Sequence, residues 1–311
     1  MKLYLVTGGA GFIGSNIVEA LVKKGKKVRV LDNFSSGKME FLKPFKKDIE
    51  LIRGDIRRFN DCRKAVKGAS IVIHQAALRS VPKSVIEPFL THDVDATGAL
   101  YMLQAAKEEG VDRFVYASSS SAYGDVNHFP MKETDSVRPL SPYGVAKLAA
   151  ELYAYSYYVN YGLETVSLRY FNVFGPHQDP ESKYSAAVPG FIDRFKNGKR
   201  PIIYGDGKQS RDFTYVENVV NANLLAAEVP AAKGHVFNVG SGHDYSVLDL
   251  YWGLAKIMGK EDMKPIFEKR RPSDPDRTFA DISKTKKILG WKPTVDFKEG
   301  LRRTVQWFAG V

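Results

Sequence analysis

The stretch Thr7-Gly8-Gly9-Ala10-Gly11-Phe12-Ile13-Gly14 lies between a short apolar run and an amphipathic segment, so it is predicted to join the first strand to the first helix. The glycines at positions 8, 11 and 14 have GxxGxxG spacing. Glycine suits such a turn because it permits the backbone angles and because a side chain would hold a pyrophosphate away from the backbone. The helix N-terminus also offers free N–H groups to phosphate oxygens. We therefore expect a dinucleotide cofactor to contact Gly8, Gly11, Phe12, Ile13 and Gly14.

Apolar runs and helical patterns alternate regularly through the first two-thirds of the chain. The runs are rich in Val, Ile and Leu and lack strict alternation with polar residues, which is typical of buried parallel strands. This order predicts an α/β fold with a doubly wound parallel Rossmann sheet covered by helices on both faces. The predicted strands cover residues 4–6, 28–31, 50–53, 71–74, 114–117 and 165–169, and the predicted helices cover residues 12–24, 61–66, 92–109 and 144–160.

The character of the sequence changes after Asn172, where Gly, Pro and polar residues become frequent and the helical patterns become shorter. We expect a NAD-binding domain at residues 1–171 and a smaller, α-rich lobe at residues 172–311 that binds the substrate, with some segments of the second returning to the first. No Ser/Gly-rich linker separates the two parts, so a cleft between closely packed lobes is predicted.

Composition excludes several other classes of protein. The 311 residues are 44% hydrophobic and 26% charged, which is typical of globular proteins, and no apolar stretch approaches the roughly 18–20 residues of a membrane span. The chain shows no signal-peptide pattern, and its single cysteine, Cys62, permits no intramolecular disulfide. We expect a cytoplasmic protein that is not membrane-bound. The net charge of +11 comes from basic residues spread along the chain, so nucleic-acid binding is not expected.

Asp32 ends the second predicted strand about 20 residues after the glycine turn, where an acid accepts hydrogen bonds from the adenosine ribose of a dinucleotide. Its charge would repel a 2′-phosphate, so NAD is favoured over NADP. The alternative is that Asp32 only caps a turn, and Asp55 is almost equally well explained as an ordinary turn residue. His74 is expected to be structural. The further predicted cofactor contacts are Asn33, Asp55, Ile56, Ala76 and Ala77.

Tyr143 and Lys147 form a YxxxK pair, which places both side chains on one face of a helix. A phenol with a pKa near 10 is a poor base at neutral pH, and a neighbouring ammonium lowers that pKa. The pair can then move the proton of a substrate hydroxyl while hydride moves to or from a nicotinamide. Ser119 follows a predicted strand, where its hydroxyl can bind the reacting oxygen. The sequence predicts Tyr143, Lys147 and Ser119 as catalytic residues.

The combined motifs resemble the extended short-chain dehydrogenase/reductase family, and within it the UDP-hexose 4-epimerases that act on UDP-glucose or UDP-N-acetylglucosamine. The similarity covers nearly the whole chain. It includes Arg169-Tyr170-Phe171-Asn172-Val173-Phe174-Gly175-Pro176 and the stretches at residues 119–124, 178–180, 205–207, 211–213 and 270–274.

This resemblance implies roles for the predicted site residues. Tyr143 would act as base and acid toward the 4-hydroxyl, Lys147 would tune it and hold the nicotinamide ribose, and Ser119 would bind the 4-oxygen. Hydride would pass from C4 to bound NAD and return to the other face of a transient 4-keto sugar. Arg211 and Arg271 would bind the diphosphate, although either is also explained as a surface charge. The residues implied to contact the substrate are Arg79, Ser80, Val81, Ser119, Ser120, Tyr143, Asn172, Val188, Tyr204, Arg211, Arg271, Asp274 and Thr278; no metal is implied.

The sequence departs from its relatives at two places. Asp93 stands where most relatives carry Asn, which puts cofactor contacts there in doubt. Thr278 stands where relatives restricted to non-acetylated sugars carry Tyr and those accepting N-acetyl sugars carry a small residue. We therefore expect a pocket that admits a 2-acetamido group.

Three alternatives remain beside the epimerase. A nucleotide-sugar 4,6-dehydratase needs an Asp-Glu pair where this chain has Ser120 and Ser121, and hydroxyls are poor replacements for that proton transfer. A UDP-glucuronate 4-epimerase usually differs at residues 169–175. A non-catalytic NAD-sensing protein would not need the Ser-Tyr-Lys set.

The resemblance also implies a homodimer formed through the helices at residues 92–109 and 144–160. The second helix carries an aromatic series that either serves this contact or packs inside the monomer, and the sequence does not decide between them. The series is Tyr153, Tyr155, Tyr157, Tyr158 and Tyr161.

Overall fold

The computed structural model describes residues 2–179, 187–270 and 275–310. Its strands are β1 Leu3–Thr7, β2 Lys27–Asp32, β3 Ile49–Arg53, β4 Ile71–His74, β5 Arg113–Ser119, β6 Glu164–Tyr170, β7 Val173–Phe174, β8 Ile202–Tyr204, β9 Ser210–Arg211, β10 Thr214–Tyr215, β11 Val236–Val239, β12 Tyr245–Ser246, β13 Ile266–Glu268 and β14 Arg277–Thr278. Its helices are α1 Phe12–Lys23, α2 Phe59–Val66, α3 Val81–Ile86, α4 Pro88–His92, α5 Gly98–Glu108, α6 Pro142–Tyr161, α7 Ala187–Lys196, α8 Val216–Glu228, α9 Val247–Ile257, α10 Ser283–Leu289 and α11 Phe297–Ala309.

Within these ranges the central sheet has seven strands in the order β11-β6-β5-β4-β1-β2-β3, and every neighbouring pair is parallel. The predicted doubly wound parallel sheet is therefore confirmed, with β11 as a strand that the sequence analysis missed. The strand order reverses at β1, which is where ligands bind in open α/β sheets.

Both faces of this sheet are buried. Along β1, Val6 packs with Ile17 and Val18 of α1 in one core, whereas Leu5 packs with Leu103 in the other. Helices α1 and α8 cover the first face, and α2, α5 and α6 cover the second. Burial on both sides explains why the strands appear in the sequence as continuous apolar runs.

The described residues after 171 form α7, α9 and small sheets made of β8 with β13 and of β12, β9 and β14. Other elements of this part join the central sheet: helix α8 packs against α1 and the sheet, and β11 pairs with β6 at the sheet edge. The described residues after 171 therefore contribute both to the central sheet and to the smaller sheets. No helix in the described ranges is long and apolar enough to cross a membrane.

Helix α6 carries the Tyr–Lys pair, and its sequence fixes where it begins and ends. The Ser141 hydroxyl accepts the N–H of Gly144 at 3.1 Å, Pro142 occupies the first helical position, and Gly162 ends the helix at φ 70°. Tyr143 and Lys147 therefore lie in the first two turns, beside the carboxyl end of β5.

A buried ion pair joins α6 to the sheet. Glu151 accepts hydrogen bonds from Arg169 of β6 at 2.6 and 3.0 Å and from the hydroxyl of Ser118 at 2.6 Å. The Arg169 guanidinium also lies 4.5 Å from the centre of the Tyr123 ring. Both charged side chains are at most 5% exposed. This contact holds α6 on the sheet one turn beyond Lys147.

Candidate active site

A cavity of about 570 Å³ opens at the carboxyl ends of β1, β2 and β4. Its size is within the range of small-molecule and cofactor sites. Most residues that the sequence analysis assigned to the cofactor line this one cavity, together with Arg79 and Ser80 of the predicted substrate set. The predicted cofactor residues in its wall are Gly8, Gly11, Phe12, Ile13, Gly14, Asp32, Asn33, Ile56, Ala76, Ala77, Tyr143 and Lys147.

The glycine turn is packed so closely that side chains are excluded. Gly8 has φ +65°, and a Cβ there would lie 2.8 Å from the backbone of Ala76; a Cβ on Gly14 would overlap the carbonyl oxygen of Gly8. Gly11 caps α1 without any side-chain cap. The N-terminal N–H groups of α1 are thus presented to the cavity, a geometry that fits a pyrophosphate.

Asp32 serves the turn and also lines the cavity. Its carboxylate accepts the backbone N–H of Ala10 at 2.9 Å and that of Phe34 at 2.8 Å, while burial raises its pKa. The turn-capping role weighed as an alternative is therefore present together with a position suited to a ribose.

Asp55 lies outside the lining. Its carboxylate forms a 2.7 Å ion pair with Arg57 and accepts a hydrogen bond from Asn33, and the Arg57 guanidinium holds the Asp55 pKa below its usual range. Arg57 lines the cavity in its place.

His74 is buried at the end of β4, with Nδ1 2.7 Å from the Thr7 hydroxyl. Burial lowers its pKa to about 3, so the ring is neutral at physiological pH. This agrees with the structural role expected for it.

Tyr143 and Lys147 line the cavity, and Ser119 lies beside Tyr143 at the end of β5. The Ser119 hydroxyl lowers the pKa of the Tyr143 phenol. Lys147 is 4% exposed, and its Nζ lies 4.8 Å from the centre of the Tyr116 ring. The structure thus brings together the hydroxyl, phenol and ammonium that the sequence analysis grouped.

The electrostatics of this group differ from the expectation. Burial, followed by the charge of Asp95, raises the pKa of Tyr143 to about 12, while a hydrogen bond with Ser119 and the charge of Arg79 lower it. Burial likewise lowers the pKa of Lys147, and Asp95 opposes that shift. We expected Lys147 to lower the Tyr143 pKa; instead burial raises that pKa because a buried phenolate loses its hydration, and the positive charge that lowers it is that of Arg79.

Asp93, where cofactor contacts were in doubt, lies outside the lining of the cavity. Its side chain is 51% exposed and lies 3.9 Å from Arg57. The carboxylate that reaches the Tyr–Lys pair is instead Asp95, two residues further along the same helical turn.

A second group of predicted residues gathers just after β6. The Asn172 amide donates to the Thr278 hydroxyl at 3.4 Å and to the Asp212 carbonyl at 3.3 Å, and Thr278 pairs with Arg211 in register. Asn172 has φ 24°, a backbone conformation that is uncommon outside glycine and is often found at functional sites. Tyr170, two residues before Asn172, lines the cavity. The group around Asn172 therefore follows directly from the cavity wall along the chain.

The remaining predicted substrate residues are placed less closely. Ser80 caps α3 and Val81 begins it, Ser120 begins the single turn after β5, Val188 is buried on α7, and Tyr204 ends β8. Arg271 and Asp274 lie outside the described residues.

Two further segments, within residues 35–41 and 177–179, contribute to the cavity wall and were not predicted from the sequence. Lys38 and Asp179 form an ion pair at 3.7 Å between these segments, and the Phe41 and His177 rings stack with centroids 4.3 Å apart. Gly37 is the residue whose type reflects the close packing of the first segment, because a Cβ there would lie 2.9 Å from the Asp32 carboxylate.

A glycine turn at the carboxyl end of a parallel sheet, a Tyr-Lys pair in the same cavity and a serine beside that tyrosine define an extended short-chain dehydrogenase/reductase. The chain belongs to the GDP-mannose 4,6 dehydratase family, whose model matches residues 5–304. The predicted family resemblance is thereby confirmed.

Relatives and solved structures are similar over the full chain. The UDP-glucose 4-epimerase of Mycolicibacterium smegmatis is 35% identical over 98% of this chain and 97% of its own. A UDP-N-acetylglucosamine 4-epimerase from Methanobrevibacter ruminantium, solved with UDP-N-acetylmuramic acid, is 41% identical, with a TM-score of 0.95 and 99% and 98% of the two chains covered. The UDP-glucose 4-epimerase of Thermus thermophilus, solved with NAD, is 37% identical, with a TM-score of 0.90 and 99% of both chains covered. Other relatives are named UDP-glucuronate 4-epimerase and dTDP-D-glucose 4,6-dehydratase.

Proposed function

We propose that this protein is a NAD-dependent isomerase that epimerises UDP-hexoses at C4. The observation that carries the proposal is that Tyr143 and Lys147 line the same cavity as the glycine turn. Relatives named as 4-epimerases, and one solved with NAD, support this assignment. The close packing of Gly8 and Gly14 fits the backbone approach that a dinucleotide requires.

The residues of this chain would handle the proton of the reaction. NAD, when bound, supplies the hydride acceptor and a positive ring charge that favours the phenolate of Tyr143. Tyr143 would accept the proton of the sugar 4-hydroxyl and later return it to the same oxygen, which Ser119 holds by a hydrogen bond. The buried ammonium of Lys147 would stabilise the phenolate and hold the nicotinamide ribose. Between these steps the substrate would be a 4-keto sugar.

The nucleotide would be held by the group after β6. Asn172 and Arg211 lie close to Thr278, and a guanidinium suits diphosphate oxygens because it offers a rigid fork of donors. We assign the diphosphate to Arg211 and Arg271 and the uridine ribose to Asp274.

Thr278 would set the space available at the 2-position of the sugar. It is 8% exposed beside Asn172, so a larger side chain would fill the pocket. We expect Thr278→Tyr to lower kcat/KM for UDP-N-acetylgalactosamine by about 10- to 100-fold and to change that for UDP-galactose much less. Steady-state kinetics on both sugars measure this, with Thr278→Ser as the control that keeps the hydroxyl and adds no bulk. An equal loss on both sugars would contradict the assignment.

The proposed function is tested by incubating the purified protein with UDP-galactose, UDP-N-acetylgalactosamine or UDP-glucuronate and following the anomeric protons by NMR. Conversion of the first two without added NAD supports a 4-epimerase with retained cofactor. Conversion of UDP-glucuronate alone would replace the substrate, and loss of water from the sugar would indicate a dehydratase. If no sugar changes even with NAD supplied, the protein is another nucleotide-sugar enzyme of this fold or a non-catalytic relative.

We further propose the homodimer expected through residues 92–109 and 144–160, with α4 added to the contact beside α6. Val145, Leu152, Tyr155 and Val159 on α6 are each at least 50% exposed and recur at helical spacing, and Phe89 on α4 is 89% exposed. The aromatic series divides: Tyr157 is buried and donates to Gln104 at 2.8 Å, whereas Tyr153, Tyr155 and Tyr161 are exposed. An apolar stripe of this kind on two adjacent helices fits a second copy of the chain.

Leu152→Glu is expected to convert this dimer to monomer, because two buried carboxylates would face each other across the symmetric contact. Sedimentation equilibrium measures the mass. Ile257→Glu, on the exposed face of α9 in the other lobe, is the control and should leave the mass unchanged. A wild-type monomer at micromolar concentration would refute the dimer.

A further inference from the structure

Asp95 is a buried carboxylate to which the proposed reaction assigns no role. It lies on a π-helical turn, Asp93–Thr97, between α4 and α5, and its side chain is only 1% exposed. Turns of this type are rare and often occur at functional sites. Burying a charge costs free energy unless hydrogen bonds or an opposite charge compensate it, so the groups around Asp95 determine whether it stays ionised.

The two carboxylate oxygens of Asp95 have different environments. Oδ1 accepts the backbone N–H of Leu78 at 2.6 Å, which ties Asp95 to the loop after β4 that forms a wall of the cofactor cavity. Oδ2 is buried and has no hydrogen-bond partner among the described residues. One oxygen therefore positions the cavity wall, and the other leaves its charge uncompensated by any direct bond.

The uncompensated charge acts on the Tyr–Lys pair, because the π-helical turn packs directly against α6. From α6 the groups that feel it are Lys147 and Tyr143, and from β5 the group is Tyr116. Burial raises the pKa of Asp95 itself to about 6, with the charge of Lys147 and the Leu78 bond opposing the shift. At neutral pH the carboxylate is therefore mostly ionised.

We propose that Asp95 is a positioning residue for the proton transfer: its buried carboxylate sets the charge states of Tyr143 and Lys147, and its bond to Leu78 fixes that carboxylate to the wall of the cofactor cavity. This inference rests on the proposed function. A negative charge at this place stabilises the ammonium of Lys147 and destabilises the phenolate of Tyr143. It therefore raises the pKa of both groups together.

Removing the charge of Asp95 should therefore lower the pKa of Tyr143 and that of Lys147. The working pair is a phenolate and an ammonium, so activity rises as Tyr143 ionises and falls as Lys147 loses its proton. Asp95→Asn keeps an acceptor for the Leu78 N–H and removes the charge. Both limbs of the kcat profile should then move to lower pH, by about one to two units.

Asp93→Asn is the matched control, because it removes the same charge from the same turn at a side chain that is 51% exposed. Its profile should coincide with that of the wild type. A lower kcat with unmoved limbs in Asp95→Asn would overturn the proposal and leave Asp95 a structural residue. If Asp95→Asn does not fold, Asp95→Glu and Asp95→Gln form a second pair of equal size: only Glu should keep the wild-type limbs.

A second readout separates this inference from the proposed function. The near-ultraviolet absorbance of tyrosinate is titrated in the NAD-loaded protein without sugar, and the same titration of Tyr143→Phe is subtracted to isolate Tyr143. Ionisation at lower pH in Asp95→Asn supports the inference even if no UDP-hexose is turned over, in which case only the proposed function fails. An unchanged titration, with normal epimerase activity in the wild type, overturns the role of Asp95 alone.

Discussion

Replacing Tyr143 with phenylalanine is expected to lower kcat for a UDP-hexose by about 10³-fold while NAD remains bound. The variant loses only the hydroxyl that exchanges the substrate proton, and the aromatic ring keeps its packing at the start of α6. Because the hydroxyl acts in the transition state, kcat and kcat/KM should fall together. Initial rates at saturating sugar, with NAD content measured by absorbance after denaturation, check this result.

Tyr155→Phe is the matched control for that experiment. It removes a hydroxyl from the same helix at a side chain that is 54% exposed, and its kcat should equal that of the wild type. If Tyr143→Phe kept more than a tenth of the activity, another group would be the acid and base, and the Ser119 hydroxyl would be the next to replace.

Glu151→Leu is expected to reduce the free energy of unfolding by about 3–5 kcal/mol, because it leaves the Arg169 guanidinium buried without its counter-charge. One of its nitrogens, Nη1, already has no hydrogen-bond partner among the described residues. The Ser118 hydroxyl also loses its acceptor. Denaturation by urea, followed by circular dichroism, measures the change.

Two further variants test whether the unpaired buried charge of Arg169 causes this loss of stability. The double variant Glu151→Leu/Arg169→Met should recover much of the loss, since it leaves no unpaired ion inside the protein. Glu19→Leu breaks the Lys23 pair on the surface of α1 and should cost less than about 1 kcal/mol. Equal losses in the single and double variants would show that packing at Glu151, and not its charge, stabilises α6.

The sequence predicted those parts of the fold that depend on residues lying close together along the chain. The glycine turn, the Val/Ile/Leu-rich strands and the YxxxK pair each depend on residues within one or two turns of each other, and they predicted both the sheet and the centre of the site. Strand β11 is different, because Val236–Val239 is four residues long and its partner β6 lies about seventy positions earlier. The two-residue strands of the second lobe are too short for any periodicity to show.

The inward position of Asp95 could not be predicted from the sequence for a similar reason. On a helix, residues two apart point to nearly opposite sides, so a shift of the register by one or two positions exchanges an exposed side chain for a buried one. The π-helical turn Asp93–Thr97 alters that register. The sequence alone therefore does not tell which of Asp93 and Asp95 faces inward. The packing of the turn against α6 makes Asp95 the inner residue.

The pairing of β11 with β6 also has a consequence for how the chain reaches its native state. As residues emerge during synthesis, the first six strands are complete by Tyr170, yet β6 then has an open edge and the sheet face later covered by α8 is bare. Unpaired edges and exposed apolar faces favour aggregation. The central sheet therefore cannot be completed until residue 239 has been synthesised. A fragment ending near residue 171 should not fold stably as an independent unit.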